Sequence, residues 1–278
     1  MTAPPLLLDG ATGTELIRRG ATIDGVRASA AIADTHPAWL TAIAREYAEA
    51  GAQILTAHTL CTHVDPEAAD RRTAAAIACV RAATVIDPRI RVAGSLGPLD
   101  PGAADPDARG QRYLDHARRL AAGCDVVLVE TMTGPDEAAL ALEAVRTAGA
   151  PRVWLSLVAG PGARWIGGAS LRTLPRDVDL SGVDAVLVNC TAAAALPAAL
   201  GAIAEVVDAD VWRGVYPSLD PKAGSERSLA QTVAGLAETF GLDVVGGCCG
   251  TTPGFIAELR RRLHAGPARE AAWRRLPD

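Results

Sequence analysis

The chain has 278 residues, of which 49% are hydrophobic and 21% are charged. This length is enough for one large domain or two ordinary ones with a buried core. The net charge of −5 and the lack of a basic block argue against nucleic acid as a partner, and no stretch approaches the ~18 apolar residues that a membrane helix needs.

The N-terminus and the cysteine content predict a cytoplasmic protein. The apolar run Leu6–Leu8 is short, ends at Asp9, and has neither a basic start nor a cleavage site, so export is not expected. Six cysteines in a long chain without an export signal are better explained as thiols or metal ligands than as disulfides.

Short apolar runs alternate with longer helical patterns, which is typical of βα units. The predicted strands are, in chain order, Pro5–Asp9, Gln53–Thr56, Arg91–Ser95, Asp125–Glu130, Arg152–Val158, Asp184–Cys190, Asp210–Tyr216 and Asp243–Gly246. A helix is expected to open after the turn at Asp9, and the other predicted helices are His36–Gly51, Pro66–Ile86, Gln111–Ala122, Pro135–Ala148, Leu196–Asp208, Ser225–Phe240 and Pro253–His264. Pro101–Gly110 and the glycine-rich segment Ala159–Ala169 are predicted as loops.

Eight such units favour a closed (β/α)8 barrel of the TIM type over an open, doubly wound sheet. The near-continuous Val, Leu and Ile runs are expected for parallel strands that are covered on both faces. No shift in composition and no linker marks a second domain, so residues 1–278 are predicted to form one domain, with Gly266–Asp278 as a short terminal element.

Two adjacent cysteines follow the last predicted strand, in Gly246-Gly247-Cys248-Cys249-Gly250. Neighbouring side chains of a regular strand point to opposite faces, but flanking glycines permit backbone dihedrals that would let both sulfurs turn the same way. Converging thiolates are typical of a soft-metal site, and Cys190, at the end of another apolar run, is a candidate third ligand. The alternatives for Cys248 and Cys249 are a vicinal disulfide or two buried thiols.

Other polar residues also end the apolar runs, where a barrel would place its active site. They include Asp9, Thr56, Ser95, Glu130, Asn189 and Tyr216. Glu130 ends an apolar strand, so its charge would be partly desolvated without a partner. An amino-acid ammonium group would suit it, with a helix N-terminus or an arginine as the alternative. The same reasoning applies to Asp9, which has a stronger rival role as a turn former.

Five stretches resemble the homocysteine S-methyltransferase family, over nearly the whole chain. They are Asp9–Glu15, Val92–Pro98, Val129–Thr131, Val188–Cys190 and Gly247–Pro253, of which the last is the most specific. The resemblance implies that Cys190, Cys248 and Cys249 hold a catalytic zinc ion. It also implies a substrate site for homocysteine and for a methyl donor. Asp9, Ser95, Glu130 and Asn189 are predicted to belong to this site. Glu130 would hold the amino group of homocysteine, and Asn189 is expected to orient the zinc loop more than to touch substrate.

Three thiolates on Zn2+ leave one coordination position open, which is the mark of a catalytic site. A free thiol has a pKa near 8.5, and a thiol bound at that position would lose its proton, which suits methyl transfer to sulfur.

Backbone amides of the turns Gly10–Gly13 or Ser95–Gly97 are candidates for binding the substrate carboxylate.

The methyl donor is predicted to be a sulfonium compound, S-methylmethionine or S-adenosylmethionine. A cobalamin route needs further modules, and betaine would favour an aromatic cage, whereas only 4% of the chain is aromatic. The loop Leu99–Gly110 is shorter than in many family members, so Trp165 is a candidate replacement contact. The alternatives to homocysteine methylation are transfer to another small thiol or selenol, such as selenocysteine, and a non-catalytic zinc or thiol sensor.

The remaining cysteines and two histidines receive structural explanations. Cys79 and Cys124 are predicted in the core. Cys61 lies between His58 and His63, and both histidines are left out of the zinc site as structural side chains.

Overall fold

The computed structural model describes residues 4–99, 106–220, 222 and 224–263. The predicted terminal element Gly266–Asp278 and the first half of the predicted loop Pro101–Gly110 lie outside these residues. The second half of that loop was predicted wrongly, because the helix expected from Gln111 already begins at Pro106. The strands are β1 (Leu6–Leu7), β2 (Ile54–Ala57), β3 (Arg91–Leu96), β4 (Val126–Met132), β5 (Val153–Leu157), β6 (Ala159–Gly160), β7 (Arg164–Trp165), β8 (Ala185–Asn189), β9 (Trp212–Tyr216) and β10 (Val244–Val245).

Eight of these strands form one parallel sheet in the order β1-β10-β9-β8-β5-β4-β3-β2. The two edges meet, because Leu8 bridges Ile54 in parallel and the Asp9 amide donates to the Ile54 carbonyl at 3.0 Å. The predicted (β/α)8 barrel is confirmed. The closure depends on only a few hydrogen bonds, since β1 is very short.

The helices that surround the sheet are α1 (Thr12–Arg18), α2 (Gly25–Thr35), α3 (Pro37–Ala50), α4 (Ala69–Ala83), α5 (Pro106–Ala121), α6 (Pro135–Thr147), α7 (Leu174–Asp177), α8 (Leu196–Val206), α9 (Glu226–Phe240) and α10 (Pro253–Arg262). Among the described residues, none of the helices combines the length and the apolar character needed to cross a membrane.

Two further parts of the observed structure were not predicted. Helix α2 has no side-chain cap at Asp24, and it is stabilised by burying Ala30, Ile32 and Ala33. Such tertiary packing leaves little signal in the local sequence. The glycine-rich segment predicted as a loop contains the antiparallel hairpin β6–β7. The 3-10 helix Leu171–Thr173 and the four-residue helix α7 follow before β8.

The barrel interior is filled by side chains from alternate positions of the strands. The largest are Trp154 on β5 and Trp212 on β9, whose ring centroids lie 6.4 Å apart. With Leu6, Leu128 and Leu187 they belong to one buried cluster. The barrel is therefore a packed core without a central pore.

Aspartates next to the N-terminal ends of three strands tie each strand to its neighbour. The side chains of Asp125, Asp184 and Asp243 accept backbone N–H groups of adjacent strands at distances of 2.7, 2.7 and 3.1 Å. Two of them also pair with arginines, Arg81 with Asp125 and Arg152 with Asp184. These three aspartates at the N-terminal end of the barrel therefore have a structural role.

Candidate active site

A cavity of about 340 Å3 opens at the C-terminal ends of the strands. Its lining includes six of the seven predicted site residues: Asp9, Ser95, Glu130, Cys190, Cys248 and Cys249. The seventh, Asn189, is fully buried beneath the cavity. The barrel thus brings together residues from the exits of β1, β3, β4, β8 and β10.

The thiols of Cys190, Cys248 and Cys249 form one cluster in which the three Sγ atoms lie within 4.8 Å of one another. Cys190 Sγ and Cys248 Sγ are 2.7 Å apart, and all three thiols are free. A vicinal disulfide between Cys248 and Cys249 is therefore absent from this structure. Ligands at about 2.3 Å from a tetrahedral zinc would lie about 3.8 Å from each other. The cluster fits such an ion once its closest pair separates by about 1 Å.

The backbone brings these sulfurs together in a way that differs from the prediction. Among the three glycines beside the cysteines, Gly250 has a left-handed φ of 86°, whereas Gly246 and Gly247 serve close packing. A Cβ at Gly247 would collide with Thr251 Oγ1. The remaining sulfur is placed by Cys190 itself, which has a left-handed φ of 47° although it is not a glycine.

The three thiols share their protons unequally. Hydrogen bonds with Cys190 and Cys248 lower the pKa of the Cys249 thiol far below its usual range. Hydrogen bonds with Cys190 and Cys249, together with burial, raise the pKa of the Cys248 thiol. The negative charge of the metal-free cluster is therefore favoured on Cys249, the most exposed of the three thiols.

Glu130 lies across the cavity and is held by two hydroxyl groups. Ser95 Oγ donates to Glu130 Oε1, and the Tyr216 hydroxyl donates to Glu130 Oε2 at 2.9 Å. Burial raises the pKa of this carboxyl group, while the two hydrogen bonds act in the opposite direction. Its hydrogen-bond partners among the described residues are neutral, so the arginine pair considered from the sequence is not present in that part of the chain.

Asp9 is 3% exposed and is bound to β2, where it accepts from the amide of Thr56 at 2.7 Å and from its hydroxyl at 2.8 Å. Burial raises the pKa of Asp9 to about 7, and the negative charge of Glu130 contributes to the increase. These two carboxyl groups are thus close enough to affect each other's ionisation. A cation placed between them would stabilise both in the charged form.

The structure places several other candidates away from the reacting groups. Trp165 is 1% exposed within the hydrophobic core and does not line the cavity. It therefore does not supply the substrate contacts that were expected to compensate for the short loop Leu99–Gly110. His58 does line the cavity, but its Nε2 is 3.1 Å from Ser29 Oγ. His63 is buried against His116, with ring centroids 5.0 Å apart.

Three remaining cysteines do not join the thiol cluster. Cys124 is buried, as predicted for a core residue, and Cys79 is partly buried against the core. Cys61 is partly buried, and burial raises the pKa of its thiol.

Two residues of the site were missed at the level of the sequence. Tyr216 stood among the polar strand ends without a role, and its hydroxyl contacts Glu130. Thr131 lines the cavity with a left-handed φ of 62°. The strand-end position was the available signal for Tyr216, whereas no sequence pattern marks a left-handed threonine.

A comparison with protein families matches residues 6–263 to the model described as homocysteine S-methyltransferase. The chain belongs to the homocysteine S-methyltransferase family. The resemblance seen in the five sequence stretches is thereby confirmed. Membership also agrees with the thiol cluster at the C-terminal ends of β8 and β10.

Relatives of the family differ in length. The methionine synthase of Mycobacterium leprae is 29% identical over 286 residues, which cover 90% of this chain but 24% of that protein. The chain therefore spans about a quarter of the mycobacterial methionine synthases that it matches. Homocysteine S-methyltransferase 2 of Zea mays is 25% identical and is covered over 91% of its length, with 95% of this chain aligned.

Among solved structures, the apo form of the homocysteine methyltransferase MmuM from Escherichia coli superposes with a TM-score of 0.76. It is 26% identical, and the match covers 94% of this chain and 96% of MmuM. The chain therefore shares its overall fold with that homocysteine methyltransferase.

Proposed function

We propose that this protein is a zinc-dependent methyltransferase that transfers a methyl group from a sulfonium donor, S-methylmethionine or S-adenosylmethionine, to homocysteine and so forms methionine. One observation carries the proposal. Three cysteine thiols within 4.8 Å of one another share a cavity with two carboxyl groups, Asp9 and Glu130, that have no basic partner among the described residues.

Cys190, Cys248 and Cys249 would hold the zinc ion, because an all-sulfur donor set at this spacing suits a soft, tetrahedral metal. The bound ion would supply a Lewis acid that lowers the pKa of the acceptor thiol and keeps its sulfur in the nucleophilic thiolate form. The three cysteines provide three ligands, which leaves room for one sulfur from the substrate. Cys249 is the most exposed of the three, so the cluster is open to the cavity.

Glu130 and Asp9 would bind the ammonium group of homocysteine. The hydroxyl groups of Ser95 and Tyr216 hold the Glu130 carboxylate in one orientation, so it is placed before the substrate arrives. Because the site is partly buried, an ion pair there is stronger than it would be at an exposed surface. Recognition of the amino group at one end and of the thiol at the other would select an amino-acid thiol of defined length.

The cavity lining supports a sulfonium donor over betaine. Among the described residues that line it, Tyr216 is the only phenylalanine, tyrosine or tryptophan, so an aromatic cage for a quaternary ammonium group is lacking there. Ile17, Ile23 and Leu60 instead form an apolar wall. In the reaction, the acceptor sulfur forms a bond to the methyl carbon, the bond from that carbon to the donor sulfur breaks, and its electron pair neutralises the sulfonium charge.

The proposal is tested by incubating zinc-loaded protein with homocysteine and one donor at a time. The donors are S-methylmethionine, S-adenosylmethionine, betaine and methyltetrahydrofolate. Methionine formation, followed by mass spectrometry with an isotopically labelled methyl group, is expected with at least one sulfonium and with neither of the others. Methionine from no sulfonium donor would contradict the proposal. Selenocysteine and cysteine as acceptors separate homocysteine from the other small thiols and selenols.

A further inference from the structure

Two residues of the active site have a left-handed backbone without being glycine. Thr131, with φ of 62°, directly follows Glu130, and Cys190, with φ of 47°, directly follows Asn189. Positive φ is uncommon for such residues, and for a β-branched threonine it is an outlier. A conformation of this kind persists only where surrounding contacts enforce it.

One buried amide group joins these two positions. Asn189 Oδ1 accepts from the Thr131 amide at 3.2 Å, and Asn189 Nδ2 donates to Thr131 Oγ1 at 2.9 Å. Ser156 Oγ on β5 donates to the same Oδ1 at 2.8 Å. Since Asn189 is fully buried, water cannot readily replace these bonds.

The backbone on the far side of Cys190 is anchored as well. Thr191 Oγ1 donates to the Asn189 carbonyl at 2.8 Å and accepts from the Ala159 amide at 2.9 Å. Thr191 is 1% exposed. Cys190 is therefore bracketed by two anchored neighbours, which fix its backbone at the site.

The segment after Thr131 is held by contacts that do not involve Asn189. The Val158 amide donates to the Met132 carbonyl at 2.9 Å, and the Gly167 amide donates to the Thr133 carbonyl at 2.9 Å. A Cβ at Gly167 would lie 2.6 Å from the Thr133 carbonyl oxygen, so the hairpin packs tightly there. Loss of the Thr131 hydroxyl would thus loosen the connection to Asn189 without releasing the whole loop.

We propose that Thr131 is a positioning residue. Its two hydrogen bonds with Asn189, hereafter the Thr131–Asn189 clamp, hold the backbone from which the Cys190 thiol reaches the metal site and fix the backbone that carries Glu130. A single change at Thr131 therefore weakens metal binding and amino-acid binding together. The second part of this inference rests on the proposed function, whereas the effects on Cys190 and on metal affinity do not.

Thr131→Val tests the clamp, because valine keeps the β-branched shape and lacks the hydroxyl. Two measurements are made on metal-free protein: the dissociation constant for Co2+, and the alkylation rate of each cysteine by iodoacetamide, resolved by mass spectrometry. Co2+ affinity is expected to fall tenfold or more, and alkylation of Cys190 is expected to accelerate severalfold. With the metal restored, the KM for homocysteine should rise more than kcat falls.

Two variants control for a general loss of stability. Thr131→Ser keeps the hydroxyl and should restore nearly wild-type Co2+ affinity. Thr84→Val removes a hydroxyl that donates to the Arg81 carbonyl at 2.9 Å, beyond the end of α4 and outside the cavity lining, and should change neither measurement.

Ser156→Ala weakens the support of Asn189 from β5 and should accelerate Cys190 alkylation even if Thr131→Val does not fold.

Wild-type Co2+ affinity and wild-type Cys190 alkylation in both Thr131→Val and Ser156→Ala would overturn the inference. Equal losses in Thr131→Ser and Thr131→Val would also overturn it, since the hydroxyl would then be irrelevant. If no variant, wild type included, transfers a methyl group, the proposed function fails, and the alkylation and Co2+ measurements still decide whether the clamp exists.

Discussion

The Tyr216 hydroxyl donates to Glu130 Oε2 at 2.9 Å, although the two residues are 86 positions apart in the chain. The bond connects the ends of β9 and β4 across the mouth of the barrel. Because Ser95 Oγ binds the other carboxylate oxygen, Glu130 is held on both sides by neutral donors, which leave its charge to be balanced by a cation.

Tyr216→Phe is expected to shift the pH dependence of homocysteine binding. Burial raises the pKa of Glu130, and the Tyr216 hydrogen bond lowers it, so losing the hydroxyl raises the pKa further. Ammonium binding needs the carboxylate and is lost as the pH falls through this pKa. The acid limb of kcat/KM should therefore move to higher pH. An unchanged acid limb would mean that Glu130 does not control it.

Glu130→Gln is expected to weaken homocysteine binding without changing zinc content. Removing one partner of a buried ion pair typically costs about 2–5 kcal/mol, and about 1.4 kcal/mol is a factor of ten in affinity. Isothermal titration should thus show a loss of tenfold or more. The control ligand is 4-mercaptobutyrate, which lacks the amino group and should bind weakly to both proteins. If it binds the native protein as tightly as homocysteine does, Glu130 does not recognise an ammonium group.

Purified protein is expected to carry about one zinc ion per chain, and Cys190→Ser and Cys248→Ser should each lose the ion and the activity. The matched control is Cys79→Ser, which removes a partly buried thiol on α4 and should keep full zinc content, as measured by inductively coupled plasma mass spectrometry. Both site variants should stay folded, because their side chains lie at the rim of the barrel. Full retention of zinc in Cys190→Ala would contradict a site with three thiolates.

Homocysteine binding to the zinc-loaded protein is expected to release close to one proton at pH 7. The free thiol, with a pKa near 8.5, is mostly protonated at this pH and would be bound as a thiolate. Calorimetry in buffers of different ionisation enthalpy measures the release. Binding with no exchange of protons would point to a mechanism without thiol activation by the metal.

Asp9 is expected to make metal-free protein less stable as the pH rises. Burial raises its pKa to about 7, so the folded state holds a proton that the unfolded state, with a pKa near 3.9, loses much earlier. The free energy of unfolding should fall between about pH 4 and pH 7, by an amount on the order of 4 kcal/mol for a shift of this size.

Asp9→Asn should remove this decrease, because an asparagine side chain does not ionise. The variant should stay folded, since the side-chain amide can still pair with the backbone amide and the hydroxyl of Thr56. Urea denaturation of both proteins at pH 4.5 and pH 8 gives the difference. Parallel pH profiles for Asp9→Asn and wild type would show that Asp9 ionises normally.

The sequence by itself determined the barrel and the identity of most of its active-site residues. Alternating βα periods predict a parallel sheet, and parallel strands place their C-terminal ends together. It follows that Asp9, Ser95, Glu130 and the cysteines could be predicted to meet, because each ends an apolar run. That argument needs only the order of elements and the polarity of their last residues.

The tertiary structure decided how those residues are held. The left-handed backbone of Thr131 and Cys190, the bonds of Asn189 and the donation from Tyr216 to Glu130 all connect distant parts of the chain. A local sequence pattern carries no record of such contacts, because threonine and cysteine do not favour left-handed φ on their own. Only pairing of β4, β5 and β8 in the folded sheet brings together the partners that enforce these conformations.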